Sequence, residues 1–556
     1  MYNLLIGGAA GQGIDTTTAI LEKLLKRSGY FVLTVRDFMS RIRGGHNFTL
    51  IRFGIQPVLS HSNQLDGIIA LDEETIRLHR QELKENGFIL CNPELTTDDS
   101  RTIRLAMDDM ARALGNPRLS GSVAIGAILK LFGEQTKSAR NVYPAFIKEQ
   151  YLEKNLEALR IGYDAVEIRY PHLEGIYGDW MLLSASKAVA LGAIAAGLRF
   201  YCAYPMSPST TVMETLAPLS KEAKLVVEQA EDEIAAINMA IGASYAGARA
   251  MTGTSGGGFS LMVEALGLSG IAEIPLVVLN VQRPGPATGL PTRTEQSDLK
   301  FMIYASHGEF PRMVIALRNA EDAYYQTIRA FHLAEKYQIP VILLSDQYIG
   351  DASFTVKPYE FAPLVLSEPT GESDTEPEYL RYGYTQTGIS PRLIPGKSIH
   401  PVVSDSDEHD ESGHITESGS VRTQMMDKRM KKLEGLEQDL NEPDFVGDEN
   451  FDILLLGWGS TWGPVSEAVQ LLNREEGDRY AALIFGDIFP LPQTLLRQKA
   501  KKAKHIINIE QNATGQLASL IRETTGINCD CHILKYDGRQ ISGEEIIQRI
   551  RKEEFK

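Results

Sequence analysis

One glutamate stands where a core residue belongs. In EQAEDEIAAINMAIGAS, Glu233, Ile237, Ala240 and Ser244 fall at i, i+4, i+7 and i+11, along one helical face flanked by Ile234 and Ile241. A carboxylate on a face of isoleucine and alanine is either paired inside the core or kept there for chemistry. Glu228, Glu231 and Asp232 need no such account, because acids at a helix start are favoured by the helix dipole and can remain solvated.

Three further stretches place hydroxyls, glycines or a cation at the ends of apolar runs. In YPMSPSTTVMETLA, Pro205 and Pro208 fix φ and bias the residues before them to extended backbone. The strand FYCAYP therefore stops sharply and presents Ser207 and Ser209 at its carboxyl end. Ser209 also stands where it can cap the next helix, with Thr210 and Thr211 as alternatives. MTGTSGGGFSLMVEAL brings Thr252, Thr254, Ser255 and Gly256 together before a helix. In NVQRPGPATGLPTRTEQSDL a buried strand ends at Arg283, and Thr288 follows among prolines and glycines. Ligands of open α/β sheets sit beyond the carboxyl ends of the strands, so the three loops together argue for one crevice.

Two motifs lie nearer the start. GGAAGQGID, Gly7 to Asp15, sits between a strand and a helix, where bare amides could meet an anion. Its glycine order differs from the dinucleotide fingerprint, and a tight turn without ligand explains it equally well. MSRIRGGHNFTLIRF sets Arg41, Arg43, Gly44, Gly45 and His46 in a cationic loop that could hold a phosphate or carboxylate, or contact another subunit.

These stretches must be carried by several domains, since 556 residues exceed one hydrophobic core. Strands such as YNLLIGG, YFVLTVRDF, FTLIRFG, DGIIALD and GFILCN alternate with helices through the first segment and predict an α/β domain with a largely parallel sheet. From about residue 180 the small-residue helix ASKAVALGAIAAGLRF and the strands IPLVVLNVQ and IPVILLSD predict a second α/β domain. SEPTGESDTEPE and VSDSDEHDESGHITESGS are acidic and poor in apolar residues, and predict linker or surface loop before the charged helix RTQMMDKRMKKLEGLEQDL. FDILLLGWGS, YAALIFGDIFP, HIINIEQN and HILKY predict a third α/β domain. The expected boundaries are 1–178, 179–370, a linker with helix over 371–447, and 448–556.

Composition narrows the function. Hydrophobic content of 43% and charged content of 23% are ordinary for globular domains, and a net charge of −16 argues against a nucleic-acid partner. No apolar run approaches the ~20 residues that span a bilayer, and the start lacks a signal-peptide pattern, so a cytoplasmic protein is expected. Cys91, Cys202, Cys529 and Cys531 form no CxxC pair, and Cys529 and Cys531 read as reduced thiols at a strand edge. His400, His409 and His414 stand among acids and read as part of a solvated loop rather than as metal ligands. No metal set is expected on this chain.

Taken jointly, YPMSPST, the run from QAEDEIAAINMAIGAS to GTSGGGFSLMVEAL, RPGPATGLPTRTEQSDL and GISPRLIPG resemble the alpha subunits of the 2-oxoacid:ferredoxin (acceptor) oxidoreductases. GGAAGQGI and RIRGGHNFTL resemble that family's gamma domain, fused here in front, and EQNATGQLASLIR resembles its C-terminal domain. The resemblance implies a gamma-type α/β domain, a thiamine-diphosphate-binding pyrimidine-type α/β fold, and a transketolase C-terminal-like α/β domain. It implies decarboxylation of a 2-oxo acid with thiamine diphosphate, transfer of the acyl group to coenzyme A, and electrons leaving through an iron–sulfur cluster to ferredoxin. The pyrophosphate and magnesium sites and the cluster are then expected in a beta subunit, in a dimer of alpha–beta units.

By position, the resemblance gives Glu233 the contact to the cofactor's aminopyrimidine ring, which favours the imino tautomer. Thr254, Ser255 and Gly256 fall at the cofactor, and Ser207, Ser209, Arg283 and Thr288 at the substrate, with Arg283 neutralising its carboxylate. Arg43, Gly44, Gly45 and His46 become candidates for coenzyme A. Met206 and Ser207 stand where many relatives have isoleucine and threonine, and SASKA, Ser184 to Ala188, replaces a common Gly-Asn-Glu. The fused arrangement points to 2-oxoglutarate, with pyruvate, branched-chain and aryl 2-oxo acids as alternatives. A reading of another class, a nucleotide-binding regulatory or assembly protein, rests on Gly7–Asp15.

Overall fold

The computed structural model describes residues 1–38, 45–360 and 379–552, which divide into two compact units. Among them no helix is long and apolar enough to cross a membrane.

The first unit comprises Met1–Leu183, Asp351–Pro358 and Ser542–Glu545. Its centre is strand Tyr2–Ala9, whose Leu4, Leu5 and Ile6 are fully buried. That strand runs parallel to Leu65–Ala70, which in turn runs parallel to Leu83–Cys91. On its other side the expectation of a largely parallel sheet is corrected: His46–Gly54 pairs with it antiparallel, and so does Phe31–Phe38 with His46–Gly54. The physical reason is connection length, since a parallel neighbour needs a crossover of about a dozen residues or more. The chain turns back between Phe38 and His46 with far fewer. Three short strands complete this eight-stranded sheet: Thr102–Arg104, parallel to Leu83–Cys91 at one edge, and Ser353–Val356 and Met181–Leu183 at the other. The latter two fall in the segment 179–370 assigned above to the second domain, and both pair with the first sheet.

The second unit holds Ser184–Gly350, Tyr359–Ile541 and Ile546–Lys556. Strands Phe200–Ala203, Val226–Gln229, Ala250–Thr254, Leu276–Gln282, Met313–Ala316 and Pro340–Asp346 form a parallel sheet, with Asp487–Phe489 antiparallel at one edge. Every residue of Leu276–Gln282 and of Pro340–Asp346 is buried, as strands covered on both faces require. Helix Glu233–Tyr245 is capped by Asp232, whose carboxylate accepts from the Ala235 amide at 2.7 Å. Ser184 caps helix Ala185–Ala195 in the same manner at 3.4 Å, which gives the SASKA departure a local purpose.

A five-stranded sheet follows, in the order Asp444–Gly447, Tyr480–Phe485, Ile453–Trp458, His505–Glu510, Cys531–Leu534. Cys531 lies on its edge strand, and Cys529 and Cys531 are reduced thiols, as read from the sequence.

Of the two acidic stretches before it, SEPTGESDTEPE lies outside the described residues; in VSDSDEHDESGHITESGS His414 is exposed, as read from the sequence, and the correction concerns His409 and Glu408. His409 is fully buried against the ring of Tyr382, with centroids 4.1 Å apart, and Glu408 is bound by Arg429 at 2.7 Å. Helix Gly419–Gln438 inserts Lys428 and Lys432 onto the buried Glu273 carboxylate, at 2.7 and 2.5 Å. Burial alone would raise the Glu273 carboxyl, but Lys432, Lys428 and Arg381 together hold it well below the usual range. Charge composition alone hid this packing, because the buried cations that meet Glu408 and Glu273 lie far from them in sequence.

Candidate active site

The four loops with candidate chemistry follow four strands that are neighbours in the second sheet. Their order is Leu276–Gln282, Ala250–Thr254, Phe200–Ala203, Val226–Gln229. Phe200–Ala203 is the switch point: the next strand in sequence lies on one side of it and the two after that on the other. A crevice opens beyond the carboxyl ends of strands at such a point.

Glu233 sits there, the first residue of its helix and only 4% exposed. Ile237, Ala240 and Ser244 share its buried face, as the spacing predicts. Asp232 takes the capping role, so the Glu233 carboxylate is not spent on the helix, and its Oε1 is buried with no hydrogen-bond partner among the described residues. Gly258 lies against it. A methyl on Gly258 would come within 2.7 Å of Glu233 Cγ, and closer still to Glu233 Oε1 and Thr254 Oγ1. The glycine is therefore required by the approach of the two side chains. Thr254 and Ser255 are fully buried, and the Ser255 hydroxyl also lacks a partner. Gly256 begins the next helix, Gly256–Ile271.

On the substrate side, Arg283 donates from Nη1 to the Ser207 carbonyl at 2.7 Å, which ties the proline-bracketed turn to the end of strand Leu276–Gln282. Ser207 is exposed at the crevice end of its strand. Ser209 differs from the capping expectation: its hydroxyl donates to the Met206 carbonyl at 2.7 Å and makes no bond to the helix. That bond folds the turn and leaves the oxygen of the buried hydroxyl as an acceptor. Thr288 is exposed on its loop. Burial pulls the Arg283 guanidinium below its ordinary value, an effect that the charge of Asp298 opposes.

Asp298 was not singled out in the sequence, where an aspartate before LKFMIY reads as a helix cap. It stands at that position but makes no capping bond. Its Oδ2 accepts from Asn280 Nδ2 at 3.0 Å, and its carboxylate lies over Gly256, where a Cβ would be 2.5 Å from Oδ2. Gln296 was missed as well. Its amide donates to the Gln511 carbonyl at 2.7 Å, its Oε1 accepts from the Gln511 amide at 3.1 Å, and Asn512 Nδ2 donates to its carbonyl at 3.1 Å. The two motifs TEQSDL and EQNATGQ thus clasp each other, and no spacing rule could have joined them.

In the first unit, Arg43 and Gly44 lie outside the described residues. Gly45 has a left-handed φ of 73°, and His46 Nε2 meets His79 Nε2 at 2.8 Å. Burial lowers the His46 imidazole below its usual value, and His79 adds to the effect. In the Gly7–Asp15 turn, Gly11 and Gly13 have φ of 96° and 82°, which side chains rarely adopt. The Ala9 amide, however, is already taken by Gln12 Oε1 at 2.7 Å. The turn fills part of its own anion cradle.

Two family models match the chain. Residues 3–165 match "Pyruvate ferredoxin/flavodoxin oxidoreductase", and residues 191–428 match its thiamine-diphosphate-binding counterpart, "Pyruvate flavodoxin/ferredoxin oxidoreductase, thiamine diP-bdg". A 2-oxoacid:ferredoxin oxidoreductase subunit alpha from Sulfolobus sp is 33% identical, covering 98% of this chain and 95% of the relative. The chain belongs to the 2-oxoacid:ferredoxin oxidoreductase alpha subunits. As such an alpha subunit it also resembles a 2-oxoglutarate synthase subunit KorA from Archaeoglobus fulgidus, at 33% identity over 66% of this chain and 97% of the relative. The solved 2-oxoglutarate:ferredoxin oxidoreductase from Magnetococcus marinus, with 2-oxoglutarate, coenzyme A and succinyl-CoA bound, superposes with a TM-score of 0.93. It is 30% identical, and 99% of each chain is covered. The alpha subunit's own residues fit a thiamine cofactor: the matched region contains the whole crevice, and the buried Glu233 Oε1 and Ser255 Oγ are polar atoms awaiting a partner.

Proposed function

We propose that this alpha subunit acts on 2-oxoglutarate, joining its decarboxylation to acyl transfer onto coenzyme A and to electron transfer to ferredoxin. The observation that carries the reading is the buried, unpartnered Glu233 Oε1, set at the switch point beside the Thr254–Gly258 helix start and across from Arg283. Thiamine diphosphate, when bound, supplies the carbon nucleophile and the electron sink for decarboxylation. Glu233 holds and exchanges a proton with the cofactor's aminopyrimidine ring in a site sheltered from water, where such an interaction is strengthened. Arg283 meets the carboxylate of the 2-oxo acid, and Ser207 offers it a hydroxyl from the rigid turn. The likeness to the KorA relative and to the structure with 2-oxoglutarate, coenzyme A and succinyl-CoA bound supports 2-oxoglutarate and coenzyme A.

The active assembly contains a beta subunit bearing magnesium, the cofactor's pyrophosphate and an iron–sulfur cluster, in a dimer of alpha–beta units in the cytoplasm. Exposed apolar groups support a partner here: Ile234, Met239 and Leu261 lie on the outer faces of the two helices that flank Glu233. Gly45 and His46, with Arg43 and Gly44, are the candidates for coenzyme A. The test is the substrate profile of the purified complex. Turnover with 2-oxoglutarate well above that with pyruvate, branched-chain and aryl 2-oxo acids is expected, and preference for one of those would overturn the assignment.

A further inference from the structure

Asp298 lies close to the cation proposed to bind substrate. Its backbone amide donates to Gln282 Oε1 at 3.0 Å, one residue before Arg283, and Asn280 two residues earlier binds its Oδ2 at 3.0 Å. Strand alternation sends Asn280 and Gln282 to one side of the sheet, so both fix the same aspartate. The far side of the segment is fixed too. Gln516 Nε2 donates to the Ser297 carbonyl at 2.7 Å, and Gln516 Oε1 accepts from the Lys300 amide at 2.8 Å. Gln296 is held by Gln511 and Asn512, and Asn512 is held by the buried Glu510 at 2.8 Å. A carboxylate locked this firmly, part-buried and with no direct ion pair among the described residues, is costly unless its charge is used. Burial raises it above its ordinary value, while Asn280 and the charge of Arg283 work against that.

We infer that Asp298 is a positioning residue that tempers the Arg283 cation, so that the substrate's carboxylate is bound but not over-stabilised before it leaves as carbon dioxide. The inference rests on the reading of Arg283 given above. An arginine with no counter-charge would bind the carboxylate more tightly in the ground state than in a transition state where that charge is dispersing. Such binding lowers KM and kcat together. Asp298 offsets part of this attraction, and through the clasp its placement depends on the C-terminal EQNATGQ turn.

The test uses Asp298→Asn in the assembled alpha–beta complex. Asparagine keeps an oxygen for Asn280 and removes only the charge. The expected result is a KM for the 2-oxo acid roughly three- to tenfold lower, with kcat lower by a similar factor, as one unit charge at close range in a partly wet site implies. In an Arg283→Gln background the Asp298→Asn change should leave KM where Arg283→Gln alone puts it. If Asp298→Asn fails to assemble, Asp298→Ser carries the same outcomes. Unchanged or raised KM in the aspartate variant, with Arg283→Gln still raising KM, overturns the inference and leaves the reading of Arg283 standing. No KM change in either variant overturns both.

Discussion

Gly258→Ala isolates the contact on which the site depends. The added methyl would stand 2.7 Å from Glu233 Cγ, against about 3.4 Å or more for ordinary contact, so the carboxylate must retreat by roughly 0.7–1 Å. It is only 4% exposed, so no open space receives it and it must swing rather than settle back. A displacement of about 1 Å of a catalytic group costs on the order of a hundredfold in rate. Overpacking costs about 1–3 kcal/mol, partly offset by the gain of alanine over glycine in a helix of about 1 kcal/mol. The prediction is therefore a roughly hundredfold fall in kcat of the complex, with a melting temperature of the chain only slightly lowered. Gly257→Ala is the control. Its methyl would meet only the Ala287 carbonyl at 4.0 Å, so turnover should change less than about threefold. Equal loss in both variants, or full activity of Gly258→Ala, would refute the reasoning.

Glu510 accepts from the Leu517 amide at 3.0 Å, Trp458 Nε1 at 3.0 Å and Asn512 Nδ2 at 2.8 Å, so Glu510→Ala strands buried donors and should cost about 3 kcal/mol or more, read from urea unfolding. Burial pushes Lys432 down to about 7 from 10.5, against the pull of Glu273. Between those values the unfolded chain binds more protons than the folded one, so this residue makes stability rise with pH from about 7 upward. Lys432→Met should flatten the dependence of the urea midpoint on pH between about 7 and 9, and an unaltered slope would exclude Lys432 as its source. Ile234→Asp, at a position 50% exposed, should leave the melting temperature of the isolated chain nearly unchanged while abolishing co-purification with the beta subunit.

The sequence disclosed what local rules govern. Strand and helix alternation, the buried face led by Glu233, and the gathering of three loops at one sheet edge all follow from period and composition, and the structure places them so. What it hid depends on distant partners. The first sheet is partly antiparallel because one short connection turns the chain back, a matter of length that the strand texture itself does not encode. His409 and Glu408 lie in an acidic stretch that looks solvated, yet Arg429 and Tyr382 bury them. Ser209 occupies a capping position without capping, because its own backbone is already helical (φ −74°, ψ −16°) where a capping residue is extended. Gly258 is one of three consecutive glycines, and only the approach of Glu233 and Thr254 distinguishes it. Asp298 and Gln296 acquire meaning only where TEQSDL meets EQNATGQ, more than two hundred residues later.

The most direct measurement is coenzyme A-dependent viologen reduction by the purified alpha–beta complex, supplied with thiamine diphosphate and a panel of 2-oxo acids, wild type beside Glu233→Gln. The account predicts reduction with 2-oxoglutarate in the wild type and a loss of at least about a hundredfold in the assembled variant, since the glutamine cannot exchange the proton. Reduction at wild-type rate by the Glu233→Gln complex, or no reduction with any 2-oxo acid, would contradict it.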